Sequence, residues 1–390
     1  MYPHQTERLS NALERAGLDA LVATSPENIA YITGFRSLTG AVFPTLHFAI
    51  FTRQGAALVV PTIEASAVIA DAVDVDHVVC FGGSRPPLPE PATPLARRLH
   101  AIVATAAANP VEALAGALER LGIRRGSAGL DESRLAPEAW RRLTDRLSGI
   151  EVMAGAGHLA AARRVKGPYE IECLGQALHL AEEALDVVIQ TVDRGMTERE
   201  AAAVFTAEVV KRGGRPYPPV VAMGQRSGIP APWPTDGALR AGDLVRFDVG
   251  CVYKGYCSSV GRTAVLGEPA ARQETAYRAV QAGLEAAVAA ATPGAPAGRV
   301  FDAAVEAIRV NGLPHYEREH IGHGIGLEPC EPPLLASGTG ARLELGEVFR
   351  IETPYYEFGS MGVSVTDTVL VTSAGARVLN RSHHRLVDLD

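Results

Sequence analysis

Asp248 lies inside the apolar run LVRFDVG, and a carboxylate in such a run constrains the fold around it. Burying an ionised carboxyl alone is prohibitive, so the chain must bring it a counter-charge, hydrogen-bond donors or a proton. The same demand recurs twice. His323 sits among glycines in EHIGHGIGLEPCEPP, and Glu352 sits in the apolar strand that opens FRIETPYYEFGSMGVSVTDTVLVT. Glycines beside a histidine let other backbone or a ligand approach closely. Three strands that each deliver one ionisable group into apolar surroundings point to a shared cleft.

The order of elements implies two domains, which suits 390 residues at about 100 to 200 per domain. Leu9, Leu13 and Ala16 recur at helical spacing before Gly17, predicting an amphipathic helix over 5–16. LDALVAT, FAIFTRQGAALVVP, HVVCF, the stretch around AGLDES and EVMAG read as strands, with helices at PVEALAGALERLG and PEAWRRLTDRL between them. Residues 1–160 are therefore expected to form an α/β domain. The proline-dense GGSRPPLPEPATP, residues 82–94, is expected as an exposed loop within it. Beyond RRVKGPYEIECL the pattern turns to helices at 168–191, 197–211, 271–291 and 297–310 with strands among them, an α+β domain over 161–390. Inside it, RAGDLVRFDVGCVYKGYCSSVGRTAVLG reads as two strands joined at a Lys-Gly turn, with Asp248 on the first and Ser259 on the second.

Composition removes several functions. Lys plus Arg number 37 against 44 Asp plus Glu, a formal charge of -7 with no basic block, which argues against a nucleic-acid partner. The opening residues lack the apolar core of a signal peptide, and the apolar stretch from Ala101 is broken well before the roughly 20 residues a membrane span needs. Five cysteines without a CxxC pair suit a reduced, cytoplasmic protein with no membrane partner.

Asp248 with GYCSSVGRT, then GHGIGLEPCEPP, then IETPYYEFGSMGVSVTDTVLVT resemble, in order and spacing, the signature strands of the creatinase, prolidase and methionine aminopeptidase family with the pita-bread fold. RVKGPYEIECLGQALHLAEEAL resembles that family's entry helix, and SPENIAYITGF resembles the N-terminal domain of its prolidase and creatinase branch. The resemblance spans nearly the whole chain and is strongest over 160–375. It implies an α/β N-terminal domain, an α+β pita-bread domain and, from the creatinase branch, a homodimer.

The resemblance also implies a ligand set, because the family's peptidases hold two divalent metals with five side chains. Asp248, His323 and Glu352 match three of the five, whereas the second aspartate falls on Ser259 and the last glutamate on Thr366. In the family those two carboxylates bridge cations roughly 3.5 to 4 Å apart and screen their repulsion, which neutral hydroxyls cannot do. Family histidines that serve substrate binding and proton transfer fall on Ala231 and Cys330, and a third falls on Glu319, with His320 adjacent. Creatinase, the metal-free member, relies on a histidine at the position of Ala231, so the chain departs from both patterns.

What remains is a site expected to need no cofactor, in which Asp248, His323, Glu352 and Glu319 do acid/base work. A single divalent metal on Asp248, His323 and Glu352 is the disfavoured alternative. Three carboxylates around one imidazole are expected to raise at least one carboxyl pKa and to keep the histidine protonated over a wider pH range. The expected substrate-binding set is Arg262, Ser259, Cys330, Thr366, Ala231 and Trp233. Within it Arg262 either clamps an anion or makes a structural salt bridge, and Trp233 forms an apolar wall. Cys330 is nucleophilic only if its thiol reaches His323. Trp140 is expected to pack in its helix, and His383, His384 and Arg385 to form a polar tail.

Three functions are compatible with these residues. The preferred one is metal-independent hydrolysis of a C–N bond in a small amide, amidine or amino-acid-like molecule of specialised biosynthesis, with elimination or cyclisation open to the same groups. The second is an Xaa-Pro-type peptidase with a reduced, single-metal site. The third is a non-catalytic module that binds peptides.

Overall fold

Leu9, Ala12 and Leu13 bury one face of the first helix, Pro3–Ala16, which begins with proline in its first turn and stops at Gly17 in the left-handed conformation (φ 64°). The computed structural model describes residues 2–43 and 45–389. The chain divides into two units, Met1–Arg163 and Arg164–Asp390.

In the first unit a six-stranded sheet runs in the order His77–Phe81, Gly55–Pro61, Phe48–Thr52, Ala20–Ala23, Gly126–Leu130, Ile150–Ala154. FAIFTRQGAALVVP, expected as one strand, is a hairpin, because the exposed Arg53 and Gln54 turn the chain between the paired Thr52 and Gly55. The proline-dense stretch from Gly82 carries no helix or strand until Pro94 opens the helix Pro94–Ala104. Trp140 packs against the apolar core of this unit.

A buried carboxylate ties that sheet to the helix Pro26–Thr33. Asp131 is 0% exposed, and its Oδ2 accepts from Ser25 N (3.0 Å), Ser25 Oγ (2.8 Å) and Asn28 Nδ2 (2.7 Å). Burial alone would raise its pKa, but the bonds from Asn28, Ser133 and Ser25 outweigh burial and hold the carboxyl below its ordinary range.

The second unit carries the three strands singled out above. Its leading helices are α1 (Pro168–Thr191), where Gly167 N donates to Glu170 Oε2 (2.9 Å), and α2 (Glu198–Lys211), started by a capping box of Thr197 with Glu200. Strands β1 (Val220–Met223), β2 (Leu244–Val249) and β3 (Val260–Val265) follow, then helices α3 (Ala271–Ala290) and α4 (Ala297–Val310). Strands β4 (His320–Gly324), β5 (Glu331–Ala336), β6 (Val348–Glu352) and β7 (Thr366–Thr372) complete an antiparallel path in the order β5, β4, β6, β7, β3, β2, β1. The expected Lys-Gly turn lies between β2 and β3, where Lys254 (φ 47°) and Gly255 (φ 90°) both take the left-handed values that a tight hairpin needs.

Alternation along these strands decides which side chains meet. Val245, Phe247 and Val249 of β2 enter the core with α1 and α2, and Phe349, Ile351, Val369 and Val371 of β6 and β7 enter the core with α3 and α4. Period two therefore sends Arg246, Asp248, Arg350 and Glu352 to the opposite face of the sheet.

Replacing Asp131 by Ala strands the donors of Ser25 and Asn28 in a dry interior. We expect a loss of about 2–4 kcal/mol in urea unfolding of the isolated chain. Asp131→Asn should lose less, since its amide oxygen still accepts.

Candidate functional site

Asp248, Gly261, Thr366 and Glu352 lie in one row across β2, β3, β7 and β6, each paired in register with the next. Arg350 precedes Glu352 by two residues, shares its face, and pairs directly with His323 across β6 and β4. The two glycines around His323 are required by close backbone: a Cβ on Gly322 would overlap the carbonyl oxygen of Arg350, and one on Gly324 would stand 2.9 Å from that of Pro332. The approaching backbone anticipated from GHGIG is thus that of the neighbouring strands.

A guanidinium sits at the centre of this face. Arg350 Nη2 is 2.8 Å from Asp248 Oδ2 and 2.8 Å from Glu352 Oε2. Glu352 also receives Arg318 Nη2 on Oε1 at 3.2 Å, with His320 Nδ1 at 4.0 Å from the same oxygen. Burial alone would depress the Arg350 pKa, but Asp248 and Glu352 outweigh it and raise it. Burial alone would lift Glu352, yet Arg350, Arg318, His323 and His320 together hold it below the ordinary carboxylate range.

Burial disfavours the charged form of His323. Its ring is buried, and burial, partly offset by a bond to Gly324 O and reinforced by Arg350, lowers its pKa below the ordinary imidazole value. Nδ1 lies 2.9 Å from Gly324 O, an atom that only accepts, so Nδ1 carries the proton and Nε2 is left as an acceptor. The expectation of a raised carboxyl and a long-lived imidazolium is therefore corrected for Glu352 and His323. Arg350 and Arg318, in place of the Arg262 considered from the sequence, supply the positive charge that the carboxylates would otherwise draw from the histidine.

The remaining expected site residues divide by strand parity and exposure. Ser259 and Thr366 are buried, and Thr366 Oγ1 has no hydrogen-bond partner among the described residues. The Thr366 side chain fills the space that a Cβ on Gly261 would need, so it packs across to β3 with no surface for a substrate. Arg262 is one residue out of phase with the row. It is buried on the helix-covered face, bonding Gly261 O and Thr366 O (2.7 Å each), Asp367 Oδ1 (3.0 Å) and Ser382 Oγ (2.7 Å), which corrects substrate binding to structural pairing. Asp367 Oδ2 also takes His384 Nε2 at 2.6 Å, so part of the supposed polar tail is anchored.

Glu319 is exposed and makes no bond to the cluster among the described residues; Arg318 and His320, on either side of it, meet Glu352 instead. Ala231 is exposed, and Trp233 is 74% exposed, which leaves it no cleft wall to form. Cys330 is exposed, and desolvation pushes its thiol up, the wrong direction for a nucleophile.

Sequence reasoning passed over three arginines. Arg350 and Arg246 each stand two residues before a cleft carboxylate, a spacing that in a strand means the same face and was a usable signal. Arg246 is fully buried, donates to Ser227 O (2.9 Å) and Pro230 O (3.0 Å), and lies 4.9 Å from the centre of the Tyr356 ring. Arg318 lies 6.0 Å from the same ring.

Residues 172–373 match the model of metallopeptidase family M24, and residues 5–165 match that of the creatinase/prolidase N-terminal domain. The chain belongs to metallopeptidase family M24. An uncharacterized peptidase of Bacillus subtilis is similar to this M24 chain at 26% identity over 389 residues, spanning 98% of it and 99% of the relative. A Xaa-Pro dipeptidase of Pyrococcus furiosus is 34% identical over 228 residues, 58% of this chain and 65% of that protein. The crystal structure of the prolidase from Pyrococcus horikoshii superposes with a TM-score of 0.81 at 25% identity, covering 98% and 99% of the two chains. The M24 chain thus has the two-domain architecture that its sequence implied, a creatinase-type α/β domain followed by the pita-bread domain.

Nitrogen-15 NMR of the imidazoles checks the His323 assignment. At pH 7 its ring should be neutral with the proton on Nδ1 and should titrate below 6.5. Glu352→Gln should lower that midpoint further, since Glu352 is a charge that raises it.

Proposed function

We propose that this chain hydrolyses a C–N bond in a short, peptide-like or small amide substrate by acid/base chemistry, without a dinuclear metal centre. The observation that carries the reading is the shared counter-ion: one nitrogen of Arg350 sits 2.8 Å from both Asp248 and Glu352. Two carboxylates already neutralised by a guanidinium are poor ligands for a divalent cation, and Ser259 and Thr366 add no charge in place of the two bridging acids. The donor set does not fit two ions. Among the described residues no three His, Cys, Asp or Glu side chains stand together as a group able to hold a metal.

His323 supplies the general base in this reading. Its free Nε2 takes a proton from water and later returns it to the leaving nitrogen, a role suited to an imidazole that is neutral at pH 7. The relatives favour a peptide-like substrate over an amidine, and the C–N hydrolysis expected from the sequence fits either class. The chain's four buried and one exposed free cysteines suit a reducing, cytoplasmic setting, and no helix among the described residues is long and apolar enough to cross a membrane. A homodimer accords with the resemblance to the creatinase branch.

A second reading is an Xaa-Pro dipeptidase with a metal held by Asp248, His323 and Glu352. It is favoured by the 34% identity to the Xaa-Pro dipeptidase over 228 residues, and it requires Arg350 to leave both carboxylates. Protein purified without chelator and assayed on Xaa-Pro dipeptides and small aliphatic amides separates the two. Our reading expects far less than one metal per chain and turnover that survives dialysis against EDTA. Activity that disappears with the metal and returns with Mn or Zn decides for the second reading.

The pH profile carries its own sign. Activity needs the unprotonated form of His323, so kcat/KM should rise through a midpoint below 6.5 and be fully developed at neutral pH. His323→Gln should abolish that limb and cost about 100-fold or more in kcat.

A further inference from the structure

We propose that Arg350 is the electrophile of this site, a fixed organic cation that stabilises the oxyanion formed at the scissile carbonyl in the place where the family's fold would carry metal charge. The inference rests on the reading of the chain as a C–N hydrolase that works without a dinuclear centre.

Geometry assigns the role. Arg350 is held at two points through Nη2, and its Nε is buried without a partner among the described residues. The side chain nevertheless keeps 17% of its surface exposed, its hydrogen bond to Asp248 uses Nη2, and Nε but not Nη1 is among the buried atoms without a partner. One edge of the guanidinium therefore remains open to a ligand on the cleft face. His323 is its direct cross-strand neighbour, and such neighbours hold their Cβ atoms roughly 4.5–5.5 Å apart. A base and a cation at that separation can flank one carbonyl group and the water that attacks it.

Charge arithmetic agrees. Arg246, Arg318 and Arg350 oppose Asp248 and Glu352 on this face, leaving one positive charge in excess among these five groups. An environment with that surplus favours a state in which negative charge develops, and pre-oriented donors need no reorganisation when it does.

The step balances as follows. His323 Nε2 takes a proton from water while the water oxygen forms a bond to the carbonyl carbon. The carbonyl π pair moves onto oxygen, giving an oxyanion against the open edge of Arg350. Collapse re-forms the C=O bond, the C–N bond breaks with its electron pair on nitrogen, and that nitrogen takes the proton back from His323. Asp248 and Glu352 remain ionised throughout and position the guanidinium.

The test uses the full chain in chelator-treated buffer, with Arg350→Lys and Arg350→Ala, and with a phosphinic dipeptide as a probe of tetrahedral, anionic shape. Circular dichroism melts establish that each variant folds, and Arg350→Lys retains a charge should the alanine variant not fold. We expect kcat on the dipeptide or amide that the wild type turns over to fall about 100-fold in Arg350→Ala, and about 10-fold in Arg350→Lys, whose compact ammonium lacks the second nitrogen that carries the open edge away from the carboxylate-bound one. Calorimetric affinity for the phosphinate should fall in parallel, and millimolar guanidinium chloride should partly restore kcat to Arg350→Ala. A folded variant with kcat and phosphinate affinity within threefold of wild type overturns the role of Arg350 and leaves the metal-free reading standing. Wild-type activity that is lost to chelator sinks that reading instead, whatever the variants do.

Discussion

Two carboxylates in one row of a sheet repel each other, and a cation placed between them relieves that repulsion. In this chain a guanidinium takes that place. Arg350 reaches Asp248 and Glu352 with a single nitrogen, and Arg318 braces the second oxygen of Glu352 from the loop before β4. Removing a partner from such a half-buried set costs more than a surface ion pair contributes, because the charge left behind is only partly reached by water. The same guanidinium acts on both neighbours: it is the leading influence that lowers the pKa of Glu352, and it adds to the burial that lowers the pKa of His323.

The fold was legible in the sequence wherever a period was. Helices 168–191 and 297–310 were readable from apolar spacing, and the Lys-Gly turn from its demand for positive φ. FAIFTRQGAALVVP was misjudged because its two polar turn residues interrupt an otherwise unbroken apolar run, and only pairing across the hairpin reveals the break. In the site, Asp248, His323 and Glu352 do share a cleft face, since strand alternation alone assigns their side.

Parity explains most of what was misplaced. Arg262 follows a glycine that belongs to the row, so it must point to the helix-covered side, where Asp367, Ser382 and two backbone carbonyls receive it. Glu319 lies just ahead of β4, where no alternation rule applies, and the structure recruits its neighbours Arg318 and His320 in its stead. Ala231 and Trp233 sit on an irregular segment whose course is fixed by Arg246 bonding to the carbonyls of Ser227 and Pro230, an anchor no local pattern encodes.

The nesting of Thr366 against Gly261 limits what position 366 can carry. A glutamate placed there alone would meet a wholly enclosed space beside two carboxylates whose one shared cation is already spoken for. Exchanging Arg350 alone would leave Asp248 without its ion-pair partner and Glu352 with Arg318 only. Positions 350 and 366 are thus coupled through the same row of side chains, and a charge change at either is better tolerated when the other changes with it.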